Sequence, residues 1–204
     1  MKKHISLFAV LFLFAGLAGA QEKKVTPIFE IGAGASLETR NGYGETVDGL
    51  ATELSLGLDV LFSEKWSVMP SVGHNAMIGG GFGAFVRRVG ADADFHDFIN
   101  AACLFRYHDA RGMTIGFGPA VHVKYHEDTY YIDADPSDLR NGKEKLKPFD
   151  IALRTSITED VGKHWLFGVR ADLGLRNMLM QYPDLGISGH DHLLSLYLVA
   201  GLRF

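Results

Sequence analysis

The charged residues of this chain fall on alternate positions, and that spacing limits the chemistry open to them. Glu30, Glu38, Glu53, Asp59, Asp150 and Asp172 share one parity of their segments. Arg106, Lys124, Arg154, Arg170, Arg176 and Arg203 share the same parity of theirs. The two signs balance. Charges that converge on one compartment serve either as a pathway for ions or solutes or as a paired polar filling. A selective pore would show one sign in a ring. Buried charges are costly unless they are paired. The balance therefore favours a paired charge network that fills the space.

Other reactive residues carry less. His190 and His192 flank Asp191, and His126 precedes Glu127 and Asp128. On a strand, His-x-His points both rings one way, a spacing suited to a metal. These stretches are acidic and hydrophilic, so a solvated face is the plainer reading, and no metal or other cofactor is assigned. A lipid hydrolase would need a serine and a histidine on the same side of a wall. His192 and Ser195 have opposite parity. Ser188 would reach His190 only if its loop folded back. No Gly-x-Ser-x-Gly elbow occurs after residue 20. Cys103 is the single cysteine, so it forms no internal disulfide, and no base is paired with it. The reactive residues do not point to an enzyme.

The elements that carry these charges alternate with period two, the mark of a β-strand with two unlike faces. At the carboxyl end, His192, Leu194, Leu196, Leu198, Ala200, Leu202 and Phe204 oppose Leu193, Ser195, Tyr197, Val199, Gly201 and Arg203. Seven earlier segments repeat the pattern, around residues 29–38, 50–60, 66–73, 98–107, 113–124, 149–157 and 165–176. Most approach or exceed the ~10 residues that a tilted strand needs to cross a bilayer. The connections alternate in length. Residues 39–49, 79–93, 126–147 and 177–191 form long polar links, whereas 62–65, 108–112 and 158–163 form tight turns. Outer-membrane barrels place short turns in the periplasm and long loops outside. Phe29, Phe62, Trp66, Phe105, Tyr107, Trp165 and Phe204 all fall at the short-turn end, as a periplasmic aromatic girdle. Tyr125, Phe149 and His74 fall at the loop end.

A soluble β-sandwich or lipocalin-like barrel would turn the apolar parity inward and the polar parity to water. The polar parity is rich in glycine, at Gly32, Gly34, Gly57, Gly116, Gly118, Gly168 and Gly201 among others. Small residues suit the crowded inside of a narrow barrel. Pro70 and Pro119 sit within strands on the apolar parity, which is awkward for any sheet. The amino end reads as a secretory signal over residues 1–20: basic Lys2 and Lys3, apolar Ile5 to Phe14, and the small Ala18-Gly19-Ala20. Its removal takes the formal charge from −4 to −6 by loss of two lysines, which argues against a nucleic-acid partner. The fold class expected is all-β: an eight-stranded antiparallel up-and-down transmembrane β-barrel over residues 21–204.

Several short marks also resemble a family. They are the turn Phe62-Ser63-Glu64-Lys65-Trp66, the strand Phe98 to Tyr107, Gly118-Pro119, Phe149-Asp150, Leu173-Gly174-Leu175-Arg176-Asn177 and the ending Ala200-Gly201-Leu202-Arg203-Phe204. In order and spacing, from Pro27 to Phe204, they are similar to the small outer-membrane β-barrel proteins labelled porin-like or PorT-like. Ala102 departs from the pattern, where a proline would be expected. The resemblance implies an outer-membrane location and a terminal aromatic strand, ending in Phe204, that the assembly machinery reads. The role expected is structural or surface-interacting, carried by the long loops. A narrow channel for small solutes is the alternative, and a lipid-modifying enzyme the third. Membrane lipid, lipopolysaccharide and the assembly machinery are the partners expected of a monomer. At the seam, Glu30 and Arg203 are expected to meet as an ion pair.

Overall fold

The computed structural model describes residues 24–41, 46–79, 93–130, 147–178 and 190–204. Residues 1–20, Ser188 and the tips of the long connections lie outside them. Eight strands form: β1 (Val25–Asn41), β2 (Thr46–Leu61), β3 (Trp66–Gly79), β4 (Ala93–His108), β5 (Met113–Tyr130), β6 (Phe149–Val161), β7 (Trp165–Gly174) and β8 (His190–Arg203). Each pairs antiparallel with its sequence neighbours, and β1 pairs with β8, so the sheet closes. Closure leaves no edge strand. The all-β, eight-stranded antiparallel barrel is the architecture the alternation predicts.

Strand lengths differ from that reading. Segments assigned to long links continue as ladder: β1 and β2 pair up to Thr39 opposite Thr46, and β4 and β5 up to Ala93 opposite Tyr130. Two-residue alternation of apolar and polar residues weakens there in the sequence, and the pattern alone marks no strand. At the other end β6 runs on to Val161, so residues 158–161 are strand and not turn. β7 stops earlier than expected, at Gly174. The tight turns use glycine where the backbone turns left-handed, at Gly112 (φ 90°) and Gly162 (φ 71°).

The outer face carries Leu54, Leu56, Leu58, Val72, Ile99, Ile151, Leu153, Leu196 and Leu198, all exposed, the last at 72%. So broad an exposed apolar band is what a bilayer covers. At the short-turn end the rings cluster as the sequence suggests. Trp66 stacks on Phe105 at 4.9 Å and meets Tyr107 edge-on at 4.9 Å, while Phe62 lies 5.8 Å from Phe105. Trp165 stacks on Phe167 at 6.1 Å.

The prolines cost one rung each. An antiparallel residue sends its N–H and C=O to the same neighbour. Pro70 pairs with Cys103 of β4, but the β2–β3 register lapses at Leu58 and Asp59, opposite Met69 and Pro70. Pro119 pairs with Leu153 of β6, but the β4–β5 register lapses at Cys103 and Leu104. Each proline thus gives up the single ladder bond that its missing N–H would have made.

Folded protein in mild detergent is expected to migrate differently from boiled protein, with a β-type circular dichroism spectrum. Equal mobility and a helical spectrum would defeat the fold. Glycine substitutions separate packing from backbone approach. A Cβ at Gly118 would collide with the Cys103 carbonyl, whereas one at Gly32 would touch Tyr197 at an ordinary 3.4 Å. Gly118→Ala should lower refolding yield sharply and Gly32→Ala should not, as read by that mobility shift.

Candidate functional site in the barrel interior

Eight strands leave an interior just wide enough for side chains. Here that interior is filled. Glu53 on β2 sits at the middle of the polar set, 4% exposed. Its Oε1 accepts from Arg154 Nη1 at 2.7 Å, and its Oε2 accepts from Arg170 Nη1 at 2.9 Å. Arg170 also donates through Nη2 to Glu30 Oε2. Arg154 grips Asp172 with two bonds, Nε to Oδ1 at 2.7 Å and Nη2 to Oδ2 at 2.6 Å. His122 Nε2 lies 3.3 Å from the same Asp172 Oδ2. Neutral amides extend the set. Asn100 donates to Glu53 at 3.4 Å and to Asn75, and Asn75 donates to the Tyr197 hydroxyl at 3.2 Å. The network draws on all of β1 to β8.

The local reasons are simple. Glu30, Glu53, Arg154, Arg170 and Asp172 each stand on the inward parity, and Arg154 faces Asp172 directly in the β6–β7 register. Glycines on that parity leave room for the long side chains. A Cβ at Gly116 would meet Arg106 and Leu104, and one at Gly201 would meet Leu166. Large apolar groups pack inward too, including Ile28, Met69, Leu104 and Leu166, together with Met77, Phe98, Met178 and Leu193.

Of the charges predicted to form the lumen network, Glu30, Glu53, Arg154, Arg170 and Asp172 come together in this single cluster. Asp59 and Arg106 form a second buried pair at 3.0 Å, with Arg106 also donating to the Met69 sulfur at 3.3 Å. Asp150 is fully buried opposite His122 and accepts the Arg176 backbone N–H at 3.3 Å. Lys124 is half-buried near the loop end of β5. Two expectations need correction. Arg176 is exposed, lying over the Phe149 ring at 4.9 Å and donating to the Phe149 carbonyl at 3.1 Å. β7 ends at Gly174, so alternation no longer aims residue 176 inward. Arg203 does not pair with Glu30. It faces Ile28, while Glu30 faces Gly201, and Arg203 Nη1 bonds Asp160 Oδ2 at 2.6 Å. Glu30 goes to Arg170 instead.

The sequence places residue 160 in a turn, so no alternation marks Asp160 as inward-facing. The uncharged members Asn75, Asn100, Tyr197 and His122 carry no formal charge to single them out in the sequence. His126 was read with Glu127 and Asp128, but its Nδ1 lies 3.3 Å from Asp97 Oδ2, whose other oxygen is 3.3 Å from His74 Nε2. His192 Nδ1 lies 3.2 Å from the Gly174 carbonyl. A serine–histidine contact does exist, Ser67 Oγ to His108 Nε2 at 2.7 Å. Ser67 is fully buried inside the barrel and the other ring nitrogen meets Thr114, so a lipid in the bilayer does not reach it.

Glu53→Gln removes the one charge shared by two buried arginines. It is expected to destabilise the refolded barrel by about 3–5 kcal/mol, the cost of breaking a buried ion pair. Asp160→Asn acts on a part-exposed pair and should cost no more than about 1 kcal/mol. Urea unfolding in detergent, followed by tryptophan fluorescence, reads both.

Neisserial surface protein A has the same architecture. Its structure superposes with a TM-score of 0.57 at 7% identity, covering 89% of this chain and 99% of that one. Ail, the attachment invasion locus protein of Yersinia pestis, solved with the heparin analogue sucrose octasulfate, gives 0.48 at 10% identity over 89% and 99%. The outer membrane protein OprG of Pseudomonas aeruginosa gives 0.47 at 15% identity over 89% and 97%. No protein-family model matches the chain, and no curated relative does. The narrower PorT-like resemblance finds no support among the structural neighbours. The fold is that of the small eight-stranded outer-membrane β-barrels.

Proposed function

We propose that the chain is an integral outer-membrane protein whose barrel is a filled scaffold, with its work done by the long connections at the cell surface. The observation that carries this reading is the Glu30–Arg170–Glu53–Arg154–Asp172 network. It crosses the interior at 4% exposure or less for every member. A solute moving along the axis would have to break several charge-assisted bonds at once, and each partner left behind would be a buried unpaired charge. The interior therefore serves stability and register, not passage or catalysis. Outward lie the apolar band and the rings of Trp66, Phe105, Trp165 and Phe167, which suit acyl chains and a headgroup boundary. Lipid and lipopolysaccharide are the natural neighbours of that face, and a single closed barrel needs no second copy.

Purified protein in a planar bilayer is expected to show no large, stable openings. Well-defined steps of porin size would replace the scaffold reading with the channel. Phe204, exposed at 74%, closes β8 on its outer side. Deleting it is expected to lower the amount assembled in the outer membrane, because the terminal aromatic strand is what the insertion machinery would read. Unchanged surface levels of the truncated protein, measured by protease accessibility on whole cells, would contradict this.

A further inference from the structure

The outward face changes character at the loop end of β5 and β6. β6 spans 13 residues, from Val161 beside Trp165 to Phe149. At about 3.3 Å per residue and a tilt of about 40°, Phe149 stands about 30 Å beyond the level of Trp165. The apolar band of such barrels is about 25 Å tall, so Phe149 lies at its outer boundary, where headgroups begin. The outward parity holds there. Phe149 continues the row of Ile151 and Leu153, and its β5 partner Val123 leads to Tyr125, which is 56% exposed. After β7 the chain continues alongside the start of β6. The Leu175 N–H bonds the Ile151 carbonyl at 2.8 Å, and the Lys147 N–H bonds the Met178 carbonyl at 2.6 Å. Met178, fully buried in one cluster with Phe98 and Leu193, pins that segment.

Arg176 is the exposed cation of this corner. Its guanidinium lies 4.9 Å over the Phe149 ring, and Nη1 donates to the Phe149 carbonyl at 3.1 Å. Ring and carbonyl hold the charge at the boundary while the group stays open to its surroundings. Lys147 shares the parity of Phe149, and its Nζ is 2.8 Å from the Asn177 carbonyl. The diagonal spacing of paired strands puts it about 8 Å from Arg176 along the wall, within reach of two long side chains. Two acids of the rim are engaged elsewhere. Asp97 sets one oxygen 3.3 Å from His74 and the other 3.3 Å from His126, and Asp150 is buried on the inward side. We propose that Arg176 and Lys147 dock the phosphomonoester of an outer-leaflet glycolipid. Such a group carries about two negative charges at neutral pH, against one on a phospholipid diester, so a pair of cations favours it. Tyr125 and Phe149 sit at the depth where aromatic rings border headgroups. The acyl chains then lie along Ile151, Leu153 and Leu173, all exposed. The site names the lipid neighbour of the scaffold reading, and rests on it for the leaflet that the loop end meets.

The test uses the full barrel in nonionic detergent, with native mass spectrometry counting the lipids it retains. The probes are lipid A with both phosphates, the same lipid A with its phosphates removed, and phosphatidylglycerol. The expected result is one phosphorylated lipid A held per barrel, with the other two probes retained several-fold less. Arg176→Gln should weaken that binding about five-fold, the effect of one interfacial cation. Adding Lys147→Gln should weaken it further. Lys163→Gln removes the same charge from an exposed turn at the other end and should leave binding unchanged. Each variant should keep the folded gel mobility. Should Arg176→Gln lose it, Lys147→Gln alone carries the test and should weaken lipid A binding relative to Lys163→Gln. Equal retention of dephosphorylated lipid A would overturn the site, as would equal effects of the loop-end and Lys163 variants. Stronger retention of phosphatidylglycerol would overturn the glycolipid as occupant. A barrel that ignores lipid A yet stays silent in a planar bilayer would sink the site and leave the scaffold reading standing. Porin-sized steps from a barrel that still holds lipid A through Arg176 would do the reverse.

Discussion

Glu53 gives one carboxylate oxygen to Arg154 and the other to Arg170, and the rest of the interior is arranged around that double contact. The constraint behind it is geometric. An eight-stranded closed ladder encloses a space that side chains must fill, because an empty one would leave long polar chains without partners. Charges are the demanding way to fill it. One arginine without its acid would cost more than most single apolar truncations. Asp172 therefore takes the remaining nitrogens of Arg154, and Glu30 the second Nη of Arg170. The amides of Asn75 and Asn100 then extend the set towards Tyr197.

That arrangement explains the composition of the inward faces. Glycine is frequent there because a facing arginine, methionine or tyrosine needs the room, as at Gly116 beside Arg106 and at Gly32 beside Tyr197. Apolar side chains share the interior with the charges. Leu104, Leu166, Met69 and Ile28 belong to a buried apolar cluster in the same interior, and Met69 touches Arg106. A charge-assisted bond is stronger where water is kept away. The lipid face has the opposite task. It needs only area, and Leu56, Val72, Ile99 and Leu198 supply it without any specific partner.

Period-two alternation made the strands and their inward parity legible, since a barrel fixes one face to lipid and the other to the lumen. It also separated Glu30, Glu53, Arg154, Arg170 and Asp172 from the residues that face out. Which acid meets which base was not legible. Partners such as Glu53 and Arg170 stand on strands that are not neighbours, and the pairing depends on barrel shear and side-chain reach. The seam shows this. Parity placed Glu30 and Arg203 on the same side, but the two-residue offset between them was invisible until the β1–β8 register was known. Strand ends failed for another reason. Around Thr46 and Tyr130 the sequence no longer alternates between apolar and polar residues, so the ladder leaves no hydropathic trace.

Pro70 and Pro119 bracket the β3–β4 ribbon, one on each of its flanks. Both omissions fall on a common line through Cys103, which pairs with Pro70 in one register and lies within the lapse at Pro119 in the other. A cloth parts along its shortest hems rather than at a single dropped stitch. β7 is the shortest strand, and its ladders to β6 and β8 are shorter than those on either flank of the ribbon, so a tensile load drawn across the wall would part the described cylinder along β7 and leave the ribbon from Trp66 to His108 whole.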